Sequence, residues 1–162
     1  MRIKEKALLY DISNLAFAIA DTGEHNRHTL HRVRDICEDG NIDRVSRILG
    51  LAYANVLTVL SGILEPPKID LRRDLSVKTR DYLIDLKKCL KISKEISLKV
   101  KETAHEYMVC MALADWLEIT MPETAPVWRE RANACLNVLS ATASSILAGQ
   151  FHGGLRRRLS PF

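Results

Sequence analysis

Between Lys68 and Met121 the chain contains neither glycine nor proline, so the two residues that most readily interrupt a helix are missing there. Paired cysteines are missing as well: Cys37, Cys89, Cys110 and Cys135 stand alone, without a Cys-x-x-Cys unit. No glycine-rich phosphate loop, Gly-x-Ser-x-Gly or His-Glu-x-x-His unit is present, which removes the most recognisable nucleotide-binding, hydrolase and metalloprotease signatures. Strand signals are absent too, since no alternating Val/Ile/Thr run lies between turn residues. Nor does one sign of charge dominate. The 24 basic and 20 acidic side chains leave a formal net charge of +4, too mild by itself to argue for a polyanionic partner.

Two further absences bear on location. Met1 is followed by Arg2, Lys4, Glu5 and Lys6, and the apolar segment beyond is broken by Asp11 and Asn14, so the N-terminus does not read as a secretory leader. A cytoplasmic, reducing setting is expected, with the lone cysteines as small core residues. Ile48 to Leu64 is uncharged for 17 residues, at the short limit for crossing hydrocarbon, and Asn55, Thr58 and Ser61 fit a buried helix better. The uncharged run Ala132 to Leu155 holds too many Asn, Ser, Gln and His side chains for lipid. No membrane partner is expected.

What is present is helical periodicity. At 162 residues, with 47% apolar and 27% charged side chains, one globular domain is expected, burying about 70% of its unfolded surface. Helix one is read from Ile3 to Asp21, with Leu8, Ile12, Leu15 and Ile19 on one face and Thr22-Gly23 as its stop. Its second half, Leu15 to Ala20, is apolar all round, so a central place is expected. A shorter helix follows from about Glu24 to Glu38. The next starts at Asn41 as N-cap, carries Val45, Ile48, Ala52, Val56, Val59 and Ile63 inward, and stops at Glu65-Pro66-Pro67. In the glycine-free middle, Leu75, Tyr82, Leu86, Leu90, Ile96, Val100, Ala104, Tyr107 and Met111 recur at helical spacing. A helix from Leu75 to Glu118 would be about 65 Å long, more than a compact domain needs. A break or kink at 92–98 is therefore expected; the alternative is a protruding helix paired with another subunit. The last helix is expected from the Thr120-to-Glu123 capping box or from Thr124 to Pro126, with Trp128, Ala132, Cys135, Leu136, Leu139, Ala143 and Ile146 inward and Gly149 as its end.

The fold class is accordingly all-α: a single-domain bundle of five to six helices over 1–152, with a basic tail over 153–162. Candidate chemistry is sparse. His25, His28 and His31 are three apart, yet the first and last point about 120° from one another on a helix, so a solvated surface is expected rather than a metal site. Glu102-x-x-His105 is a single copy of the unit that di-iron bundles use in duplicate, and it lies off the apolar stripe. No metal, cofactor or catalytic residue is assigned. Arg80, Lys87, Lys94 and Lys101 recur every seven residues, with Lys91 between them, a row that would track phosphates if all lay on one helix; Arg156, Arg157 and Arg158 extend the basic charge. Interleaved acids argue for a solvated face instead, and aromatic stacking residues are lacking. The leading expectation is a non-enzymatic interaction or assembly protein, as a homo-oligomer or with a protein partner. The alternatives are a nucleic-acid-associated module using that row, and a bundle with a small-ligand or enzymatic pocket near Asn14, Asn55, His105 or Asp115.

Overall fold

A computed structural model describes residues 1–22, 27–65, 81–90 and 92–155, the side chains of residues 22, 27–29 and 150–155 excepted. The class is all-α. Helices α1 (Glu5–Thr22), α2 (Arg27–Arg34), α3 (Ile42–Leu60), α4 (Lys94–Thr120) and α5 (Ala125–Leu155) are joined by 3₁₀ turns and accompanied by two three-residue strands, β1 (Arg2–Lys4) and β2 (Asp81–Leu83).

The strands correct the reading of the middle third. β1 and β2 pair antiparallel, with Arg2 opposite Leu83, Ile3 opposite Tyr82 and Lys4 opposite Asp81. Where a helix was expected, Tyr82 and Ile84 are buried and Leu83 and Asp85 are exposed, the period of two that marks a strand with one covered face. Further pairing joins Leu64 to Leu86, and the terminal ammonium donates to the Ile84 carbonyl at 2.6 Å. Helix one is correspondingly shorter than expected at its start, because Ile3 belongs to the ribbon.

α4 begins at the near edge of the expected break. Ser93 has extended backbone angles and its hydroxyl accepts from the Ile96 amide at 3.3 Å, an N-cap that fixes the helix start. What precedes it is a 3₁₀ turn, Lys88–Leu90, and not a helix; Leu75 lies outside the described residues, and Ile96 is exposed. The buried part of α4 lies further along. Tyr107 to Cys110, Ala112 to Ala114, and Trp116 and Leu117 are all covered, so this segment is the axis of the core.

The four residues Met121 to Thr124 turn the chain, and α5 returns along α4 in the most extensive helix pairing among the described elements. Thr120 belongs to α4, its hydroxyl bonded to the Trp116 carbonyl at 3.0 Å, so the expected capping box does not form and α5 starts at Ala125. Gly149 does not end α5, which continues to Leu155. Its expected inward stripe is covered or partly covered throughout.

α3 packs on α4 and α5 with Val45, Leu49, Ala52, Val56 and Leu60 buried. Leu49 and Leu60 thus take places expected for Ile48 and Val59. Asn41 is no side-chain cap; its amide donates to the Asp35 carbonyl at 2.8 Å. On α1, Leu8, Ile12, Ala16 and Ala20 are buried, while Phe17 is 50% exposed with the Arg34 guanidinium 4.9 Å above its ring. The second half of α1 is therefore at the edge of the core and not central. α2 is anchored by Trp116, whose indole N–H donates to the Arg32 and Val33 carbonyls at 3.1 and 3.2 Å.

Candidate functional site

Along α4, the polar side chains that cannot enter the core line two adjoining hollows. One, of about 480 Å³, lies against β1 and the start of α1; the other, of about 470 Å³, lies against α5. Glu102 and Glu106 border both.

The first hollow contains the feature that sequence reasoning missed. His105 Nε2 is 2.7 Å from Asp11 Oδ2, joining α4 to α1. The residues are 94 positions apart, and the trace in the sequence is only that Asp11 interrupts the apolar run of α1. Ile3, Lys4, Ala7, Lys101 and Glu102 complete most of the wall. Strand alternation sends Ile3 into the core and leaves Arg2 and Lys4 outward.

In the second hollow, Arg131 reaches across from α5 to Glu106 at 2.7 Å, and its guanidinium carbon stands 5.4 Å from the Trp128 ring centre. Cys110 is fully covered, with its sulfur 3.7 Å from Glu106. Burial first, and the Glu106 charge second, push its thiol up to about 12, against a partial offset from Arg131. Burial likewise raises Cys135. Both thiols stay protonated near neutral pH, so neither is primed as a nucleophile. The four cysteines are unpaired, and among the described residues no group of three or more His, Cys, Asp and Glu side chains is arranged to hold a metal ion. What the hollows offer chemically is hydrogen bonding and charge.

The remaining polar candidates do not converge. Asn14 is exposed on α1; the Asn55 amide donates to the Tyr107 hydroxyl at 3.1 Å; Asp115 accepts from Arg44 at 2.8 Å. Of the histidine trio, His31 is exposed on α2 and the other two lie outside the described side chains. The basic row is broken by the fold. Lys94 and Lys101 are two turns apart on α4, whereas Lys87 precedes that helix and donates to the Gly62 carbonyl at 2.9 Å. Arg80, Lys91 and Arg156–Arg158 lie outside the described residues.

No protein-family model, curated protein or solved structure matches the chain.

Proposed function

We propose that the chain is a non-enzymatic helical bundle that works by assembling with a second copy of itself through the outer face of α3. The observation that carries this reading is an open helix side that is uncharged from Ile48 onward, beyond Asp43 and Arg47 in its first turns. Ile42–Ile63 is long and apolar enough to cross a membrane by length and composition, and only 28% of its most apolar window is buried. Yet Val45, Leu49, Ala52, Val56 and Leu60 are core residues, which a membrane-crossing helix would have to withdraw. The opposite side carries Leu51, 60% exposed, with Ala54, Asn55, Thr58 and Ser61.

A two-fold contact brings one patch against its own copy, so a patch of one charge sign would repel itself and an uncharged one does not. Antiparallel pairing of two copies of α3, crossing at residue 56 in its C-terminal half, sets Ala54 beside Thr58 and Leu51 beside Ser61, each across the two-fold axis. Gly50, Ala54 and Thr58, at four-residue spacing, let the axes come close. A Cβ at Gly50 would meet nothing within 4 Å, so that part of the ridge is open. The broken lysine row lends the nucleic-acid alternative no comparable support.

Sedimentation velocity of the full chain over a hundredfold concentration range tests the assembly. A monomer–dimer equilibrium is expected, and Leu51→Asp should shift it by at least about tenfold toward monomer, since a buried leucine contributes about 1.5–3 kcal/mol. A monomer at every concentration, or a dimer indifferent to Leu51→Asp, would refute the proposal.

A further inference from the structure

The hollow between β1 and α4 has a charge pattern that the assembly reading does not use. Three of its ionic groups are already engaged: Arg2 with Asp81 at 3.3 Å, Glu106 with Arg131 at 2.7 Å, and His105 with Asp11 at 2.7 Å. Lys4 and Lys101 line the same wall from opposite elements, and neither has an ion pair with a carboxylate among the described residues. Two lysines bordering one hollow favour an anion between them.

We infer that this hollow binds a phosphate group that still carries a proton, as inorganic phosphate or as the monoester of a small molecule. Lys4 and Lys101 supply the positive charge. Glu102 supplies the selectivity, because an ionised carboxylate only accepts hydrogen bonds. Beside it a protonated phosphate donates its O–H, whereas sulfate has no proton to give at neutral pH and meets only repulsion. At about 480 Å³ the hollow is within the range of small-molecule sites and roomier than one phosphate group requires.

Isothermal titration of the full chain with sodium phosphate and with sodium sulfate, at matched ionic strength and pH 7, tests the inference. Saturable phosphate binding tighter than sulfate is expected. Lys4→Met and Lys101→Met should each weaken it about tenfold, and Lys94→Met, on α4 outside the hollow, should leave it unchanged. Glu102→Gln should bring sulfate close to phosphate. Circular dichroism melts verify that each variant is folded; if Lys101→Met fails to fold, Lys4→Met alone carries the charge test. Sulfate binding as tightly as phosphate, or Lys4→Met binding like the parent chain, would overturn the assignment. Neither result touches the α3 assembly, which is read by sedimentation.

Discussion

Replacing Trp116 by Phe isolates what holds α2 to the rest of the molecule. The indole N–H donates to the carbonyls of Arg32 and Val33, in the last turn of a helix of only 8 residues, where carbonyls have no further intrahelical amide to accept from. Phe keeps most of the apolar contact and loses the donor. Leaving buried acceptors short of a partner costs about 1–3 kcal/mol, and the void beside the smaller ring adds about 1 kcal/mol. A total of about 2–4 kcal/mol lowers the melting midpoint by about 4–16 °C in a domain of this size. Thermal and urea unfolding followed by far-ultraviolet circular dichroism measure it. Trp128→Phe is the matched control, since that half-buried ring contributes its stacking with Arg131 and about 1 kcal/mol or less is at stake. If Trp116→Phe melts within about 1 °C of the parent chain, or no lower than Trp128→Phe, the indole is not the anchor of α2.

Two further predictions concern local chemistry. Ser93→Ala removes the α4 cap and should cost about 1 kcal/mol, read as a lower urea midpoint; an unchanged midpoint would place the helix start under other control. Beside it, the Glu95 carboxyl is held below its ordinary value of 4.5 by its own backbone N–H and then by Ser93. Its contribution is present above the ordinary carboxylate range and disappears as pH falls through the depressed value, so Glu95→Gln should flatten the acid limb of the stability profile. Among the thiols, exposed Cys89 should be alkylated first by iodoacetamide at pH 8 and covered Cys110, pushed up to about 12, last; mass spectrometry of the time course showing Cys110 first would refute the burial account. Because the fold favours the protonated Cys110, its contribution is intact below its ordinary value of 9.0 and is lost progressively as pH rises from there toward about 12.

The helices were legible where apolar spacing was long and unambiguous. Val100, Ala104 and Tyr107 are read inward and are inward, and the stripe of α5 from Trp128 to Ile146 is covered as its period implies. Misreading came where two periods fit the same letters. Tyr82, Leu86 and Leu90 lie at helical spacing, yet Tyr82, Ile84 and Leu86 also alternate, and pairing with Arg2–Lys4 decided between them. A three-residue strand has no stability without its partner, and that partner lies almost eighty residues earlier in the chain. The candidate site was legible only in pieces. Glu102, His105 and Lys101 were visible as residues of one helix, but Asp11, Lys4 and Arg131 reach them from three other elements, and linear spacing carries no trace of such neighbours.

Composition and periodicity alone determined the all-α class and the inward faces of α5 and of α4 from Val100 to Tyr107, because backbone hydrogen bonding and the burial of a regularly spaced apolar face are satisfied within a few turns of chain. Only the tertiary structure decided that residues 81–83 form a strand, that His105 meets Asp11, and that one side of α3 stays open. Those outcomes depend on which distant surfaces compete for the same apolar or polar partner, and that competition is resolved when the whole core closes.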